Sequence, residues 1–397
     1  MPVPLLDLNI QNLALENELK AAFERVLRSG QFILGPEVEA LESALATMLG
    51  VRHSIGVSSG TDAILLALMA LDIGAGDEVI CPTYTFFATA GCVSRVGATP
   101  VFADSCPSCF NVQAAGISNK LSPRTKAIMP VHLFGQAAAM DEILELARPR
   151  GIPVIEDAAQ SLGAEYKGKP VGGLGTFGTF SFFPSKNLSG FGDGGLVVTN
   201  DDTLAAKARS LRAHGAKPKY YHKYVGGNFR IDPLFAALLA VKLPHYQTYT
   251  QKRRDNAAYY TAALAKLPGV VLTPGAGKPC GDGSLSVDVA SGSRLVLPAP
   301  HQEVTHIWNQ YTLRVPGQGR RDALKETLKA KKVGTEVYYP VPMHQQECFA
   351  NLPSAHETLS VAQRLATESL SIPIYPELTR TQQDEVIAAL AAFVSAG

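Results

Sequence analysis

One lysine in this chain keeps unusual company. In "SFFPSKNLSGFGDGG", Ser181 to Gly195, Lys186 sits among aromatic, small and glycine residues, with no charged neighbour for several positions on either side. An ammonium in such surroundings is costly to keep charged, so its pKa should fall. The neutral amine is then a nucleophile for an aldehyde or ketone. The same lysine could instead pack its stem and send its head to solvent.

Two other segments supply complementary chemistry. In "VSSGTDAILLALMA" small residues and Gly60 precede an apolar helix. A helix start offers unpaired N–H groups and a positive dipole end, a natural seat for a phosphate, with Ser59 or Thr61 adding a hydroxyl. A plain N-cap without ligand would leave the same pattern. In "IPVIEDAAQSLGA" an apolar strand ends on Glu156 and Asp157. Ligands of open α/β sheets bind beyond the carboxyl ends of strands, so a carboxylate there can face a crevice; a helix cap is the other use for it. Taken together, a phosphate seat, a strand-end aspartate and a sequestered lysine are what pyridoxal phosphate requires: a cup for its phosphate, an anion beside its pyridinium nitrogen and an amine for its aldehyde. "CPTYTFFATA" offers an aromatic to stack on the ring.

The elements that must position these residues alternate. "DEVICP", "ATPVFAD", "KAIMPVHLFG", "IPVIEDAAQ", "GTFSFF" and "GGLVVTND" read as strands, with "TDAILLALMALD" and "AMDEILELARPRG" as the clearest helices between them. That pattern predicts an α/β fold with a mostly parallel central sheet covered on both faces. A long helical stretch begins near residue 245 and divides the chain into a large domain, 1–245, and a smaller α+β domain, 246–397. In the latter, "HIWNQYTLRV" and "GTEVYYPVP" look strand-like and "RDALKETLKA" and "TQQDEVIAALAAFVSA" helical, while the Gly/Ser-rich segment 275–293 reads as an exposed loop or lid.

Nearly the whole chain resembles the DegT/DnrJ/EryC1/StrS sugar aminotransferases, pyridoxal-phosphate enzymes of fold type I. The resemblance rests on "GPEVEALE", "SSGTDAI", "PTYTFFATA", "VHLFG", "EDAAQSLGA", the Lys186 segment, "GGNFRID", "VYYPVPMHQQECF" and "SLSIPIYPEL". It implies that Lys186 holds the cofactor by its aldehyde, that Asp157 faces the pyridine nitrogen, and that Gln160 lies near the ring hydroxyl. By the same resemblance Phe86 would stack on the ring, and Gly60, Thr61 and Ser181 would bind the phosphate. Asn228 would reach that phosphate from the other subunit of a homodimer. Arg230 and Tyr311 are the substrate-side residues it suggests. The implied reaction moves an amino group from L-glutamate, through pyridoxamine phosphate, to a keto-sugar carried on a nucleoside diphosphate, with a 3-keto sugar favoured slightly over a 4-keto one.

Two positions depart from the family pattern: Phe235 stands where glutamine is usual, and "GDGG" where "GEGG" is frequent. Relatives with histidine in place of the lysine dehydrate sugars, and Lys186 argues against that outcome here. Another fold-type-I enzyme, or a non-catalytic regulator or binding protein on the same fold, are the alternatives.

Bulk properties agree with a globular enzyme. The 397 residues are 46% hydrophobic and 18% charged, with a formal net charge of +1. No basic stripe suggests nucleic acid, no apolar run suggests a membrane span, and a signal peptide is not evident, so the expected location is cytoplasmic. Of the six cysteines, Cys106 and Cys109 form a CxxC with no second pair. They read as ordinary thiols near a loop, with no metal expected.

Overall fold

The computed structural model describes residues 2–216, 218–273 and 292–396. Seven strands of interest open the chain's main sheet: β1 (His53–Val57), β2 (Glu78–Pro82), β3 (Thr99–Ala103), β4 (Thr125–Ile128), β5 (Ile155–Asp157), β6 (Phe177–Ser181) and β7 (Gly195–Thr199). Two hydrogen-bonded sets, β3-β2-β4 and β5-β6-β7-β1, meet where Ile128 bridges Val154 and Val131 bridges Asp157. The order is therefore β3-β2-β4-β5-β6-β7-β1. All pairs are parallel except those made by β7, which runs antiparallel to β1 and to β6. The α/β class and the mostly parallel sheet read from the sequence are found. β1 had no signal of its own, because "HSIGV" is short and begins on polar residues.

Burial on both faces explains the apolar runs. β2 and β7 are buried along their whole lengths. On one face lie α1 (Gly60–Ala70) and α2 (Phe87–Arg95), which pack on each other and on the sheet. Every residue of α1 from Ala63 to Leu68 is buried, so this helix is apolar all round rather than amphipathic. A helix with no wet side is held firmly, and its N-terminus is correspondingly fixed. The helix read at "AMDEILELARPRG" is α3 (Met140–Ala147), followed by a short 3-10 turn and Gly151 at φ 62°.

The chain after residue 245 begins with α4 (Tyr246–Leu264) and builds a second sheet from β8 (Val270–Leu272), β9 (Leu295–Leu297), β10 (Tyr311–Arg314) and β11 (Ser369–Ile372). Its core joins Leu264, Leu313, Leu328, Leu370 and Leu390, and also takes in Val3 from the opposite end of the chain. α5 (Arg320–Ala330) and α6 (Arg380–Ala396) fall where the helical patterns lay. "GTEVYYPVP" differs from its strand-like reading. Only Glu336 makes an isolated bridge, to Ser371, because Pro340 and Pro342 cannot donate to a ladder. The Gly/Ser-rich reading at 275–293 lies almost wholly outside the described residues.

Candidate active site

A cavity of about 400 Å³ opens at the carboxyl ends of β5 and β6. Lys186, Asp157, Gln160, Ser181, Gly60, Thr61 and Phe86 all line it. Residues scattered over more than a hundred positions therefore share one pocket, where an open α/β sheet is expected to bind ligands.

The phosphate seat is built by the start of α1. Ser59 is the N-cap; its Oγ accepts from Asp62 N at 3.0 Å. The first N–H groups of the helix, at Gly60 and Thr61, have no intrahelical carbonyl to bond, and both residues line the cavity. The seat is narrow for a reason. A Cβ on Gly60 would lie 2.7 Å from Ser181 Cβ, and one on Gly195 would lie 2.4 Å from the Ser59 carbonyl oxygen. Glycine at both positions lets β6 and β7 close on the helix end. Phe235, the departure in sequence, is buried, and its ring fills the space that Cβ atoms of Gly190 and Gly194 would occupy. It is packing for the loop that carries Lys186.

The two strand-end carboxylates part company. Successive side chains of a strand point to opposite faces. Glu156 turns inward and is spent on structure: it accepts from Gly172 N, Leu174 N, Gly175 N and from His132 Nε2, the last at 2.9 Å. Since His132 Nδ1 accepts from Ala138 N, its proton is on Nε2. Asp157 turns to the pocket. Its Oδ2 accepts from Thr89 Oγ1 at 2.7 Å and its Oδ1 from Ala159 N at 3.2 Å. Burial nevertheless raises its pKa, against the pull of those bonds and of Lys186. A buried carboxylate this poorly compensated calls for a cation next to it.

Lys186 complements it. Burial lowers its pKa to about 8, with Asp157 pulling the other way. Gln160 is oriented from both ends: its Oε1 accepts from Phe134 N at 2.7 Å and its Nε2 donates to Tyr339 Oη at 3.0 Å. Phe86 is largely exposed at the mouth, 6.1 Å from the Tyr339 ring.

Three predicted residues lie elsewhere. Asn228 is exposed and does not line this chain's own cavity; neither does Arg230, whose Nε has no partner here. Tyr311 belongs to the second core. It is fully buried, its Oη meets Thr261 Oγ1 at 2.8 Å, and Trp308 stacks on it. Its neighbours Asn309 and Gln310 are the residues of that strand start which reach the pocket. Asn309 Oδ1 is buried without a partner. Sequence reading also missed Tyr338 and Tyr339, which wall the pocket on the far side. The quoted motif "VYYPVPMHQQECF" contained them, but no local pattern distinguishes a wall tyrosine from a core one.

A crossover α/β sheet with an activated lysine and a buried aspartate over a helix N-terminus defines a fold-type-I transferase. The family model for the DegT/DnrJ/EryC1/StrS aminotransferase family matches residues 14–391, and the chain belongs to that family. It is similar to a pleiotropic regulatory protein of Geobacillus stearothermophilus, 44% identical over 99% of both chains. It is likewise similar to UDP-N-acetyl-3-dehydro-alpha-D-glucosamine 3-aminotransferase of Acidithiobacillus ferrooxidans, 41% identical over 99% of this chain and 97% of the other. The crystal structure of S. venezuelae DesV in complex with a ketimine intermediate superposes with TM-score 0.89 and 38% identity, covering 99% of this chain and 98% of that one. Among the described residues no helix is long and apolar enough to cross a membrane.

Proposed function

We propose that this enzyme binds pyridoxal phosphate through Lys186 and transfers the amino group of L-glutamate to a keto-sugar carried on a nucleoside diphosphate, a 3-keto sugar before a 4-keto one. The observation that carries the reading is the pairing of Lys186 and Asp157 in one pocket. The donor set fits the cofactor: an amine near pKa 8 for the aldehyde, a buried anion in need of a cation for the pyridinium, and a helix start with a glycine cradle for the phosphate. Bound there, the cofactor supplies an aldehyde for amine exchange and a ring that takes up carbanion charge.

The chain's own residues do the rest. Gly60, Thr61 and Ser181 would anchor the phosphate; Asp157, held by Thr89, would keep the ring nitrogen protonated; Gln160, fixed by Phe134 and Tyr339, would address the ring hydroxyl. Lys186 Nζ, as a free amine with a pKa of about 8, would serve as a base able to carry a proton from one carbon to another. Asn309 Oδ1, buried and unpartnered, suits a sugar hydroxyl. The 3-keto preference draws on the relative named as a 3-aminotransferase of a 3-dehydro sugar nucleotide.

The same reading includes a cytoplasmic homodimer with shared sites, and a larger cofactor-binding part up to residue 245 followed by a smaller one. Large apolar side chains stand exposed on the N-terminal helices (Leu13, Phe23, Leu27), on the bend that follows them (Ile33), beside the pocket (Phe87) and on the loop that carries Lys186 (Phe183, Phe191), a surface suited to a second copy. Asn228 and Arg230, off this chain's pocket, would complete the partner's.

The test is an absorbance spectrum of the purified enzyme with L-glutamate. Expected is a visible-edge band that moves to shorter wavelength, is restored by a 3-keto nucleotide sugar, and is absent in Lys186→Ala. If added cofactor gives no band and the variant behaves like the parent, the regulatory alternative, which the relative from Geobacillus stearothermophilus brings to mind, takes its place. Mixing Lys186→Ala with Asn228→Ala chains should restore part of the activity if sites are shared.

A further inference from the structure

A second cluster of reactive side chains lies away from the cavity. Cys106, Cys109 and His301 are all buried, and one ligand atom from each lies within 4.8 Å of the others. Two are the CxxC that the sequence alone left as ordinary thiols. The third comes from far along the chain, on the segment between β9 and β10.

The surroundings hold this cluster in place. The loop after β3 closes on itself: Cys106 N donates to Asn111 O at 2.7 Å and Phe110 N to Cys106 O at 3.0 Å. Its carbonyls are gripped from the second sheet. Arg314 Nη1 donates to Pro107 O at 3.1 Å, and Thr273 Oγ1 to Ser108 O at 3.3 Å. His301 is fixed in turn by its backbone N–H on Gln136 Oε1, 3.1 Å. Ser108 Oγ stands inside the group, 3.0 Å from Cys106 Sγ and 3.5 Å from His301 Nε2. Neither cysteine is in a disulfide.

We propose that Cys106, Cys109 and His301 form a structural zinc site that staples the loop after β3 to the segment before β10. The ligand types are those of zinc, and the CxxC supplies one of the two ligand pairs that zinc sites commonly use, with His301 brought in by the fold as a third ligand. With Zn–S near 2.3 Å and Zn–N near 2.0 Å, tetrahedral ligands sit about 3.5–3.8 Å apart, so each atom needs to move inward by less than about 1 Å. Charge balances as well. Binding releases the two thiol protons to solvent, and two thiolates with a neutral imidazole leave Zn²⁺ uncharged overall, as a buried site requires. A water would complete the fourth position, with the Ser108 hydroxyl beside the group as its hydrogen-bond partner.

The staple bears on the pocket through one chain of contacts. Asn111, at the end of the CxxC loop, accepts from Leu133 N and donates to Gln136 O, and the turn so held presents Phe134 N to Gln160. The site does not depend on the aminotransferase reading and can be tested apart from it.

The experiment uses tag-free full-length enzyme prepared under reducing conditions. Metal analysis after dialysis against zinc and then buffer should find one zinc per chain. Cobalt(II) added to the metal-free chain should give sulfur-to-cobalt charge-transfer bands and the intense visible bands of a tetrahedral site. Cys106→Ser, Cys109→Ser and His301→Ala should each lower zinc affinity by at least about tenfold, whereas Cys348→Ser, at an exposed position, should not. The cobalt titration uses the parent chain, so it decides even if a variant does not fold. Zinc far below one per chain together with weak octahedral cobalt bands would overturn the proposal. So would variants that keep the parent's affinity.

Discussion

Replacing Lys186 with methionine should change how the stability of the cofactor-free chain varies with pH. The folded pKa is about 8 against an ordinary value of 10.5. Holding the ammonium charged in the fold then costs up to about 3.4 kcal/mol at 1.36 kcal/mol per pKa unit. The side chain is only partly buried and lines an open cavity, so we take about 2 kcal/mol of that as the expected effect. The sign follows from proton counts. Between pH 8 and 10.5 the unfolded chain keeps a proton on this lysine that the folded chain has released, so stability rises with pH across that window. The full cost is present below pH 8 and is gone above 10.5. Lys186→Met removes it. Lys242, also lowered to about 8 by burial, contributes equally to both proteins and cancels in the difference. Asp157 does not cancel: losing the nearby ammonium raises its pKa further, so the comparison is repeated in an Asp157→Asn background. Denaturant unfolding followed by circular dichroism, from pH 7 to 10.5, measures it. Expected is a variant more stable by about 2 kcal/mol at pH 7, with the advantage vanishing toward the alkaline end. A stability difference that stays flat with pH would refute the idea that burial depresses this amine.

Three further outcomes follow from the site and its supports. Thr89→Val takes away a bond to Asp157 Oδ2 and pushes that carboxyl's pKa higher still, so pyridoxal phosphate affinity should drop by about 1.5–3 kcal/mol, most at low pH; a fluorescence titration giving the parent's constant would count against it. Gly195→Ala drives a Cβ into the Ser59 carbonyl and should weaken pyridoxal phosphate by at least about 1.4 kcal/mol while sparing pyridoxal, which lacks the phosphate; equal losses for both would show that the clash acts elsewhere. Glu156→Ala strands three backbone N–H groups and His132 Nε2, and should cost about 3 kcal/mol or more of stability, read as a fall in melting temperature by calorimetry.

The main features of the site were legible because each carries its signal locally. Lys186 is marked by the absence of charge around it, the phosphate seat by small residues ahead of an apolar run, and Asp157 by ending a strand. Those signals need only the residue and its near neighbours, and all three residue sets meet in one cavity. The wall opposite was not legible. Tyr338, Tyr339 and Asn309 look like ordinary aromatic and polar residues until the second sheet brings them over the first.

What the amino-acid sequence determined by itself was the order and type of most elements, the parallel sheet and the chemistry of the lysine, because periodicity and charge spacing act over a few residues. What only the tertiary structure decided was which equivalent residue serves which purpose. Of two adjacent carboxylates, the pleat sent Glu156 to four structural donors and Asp157 to the pocket. Tyr311, one position from pocket residue Gln310, went into a core because β10 alternates its faces. Cys106 and Cys109 gained a third ligand only when the chain folded His301 against them. Such contacts join residues far apart along the chain, and no local pattern encodes them.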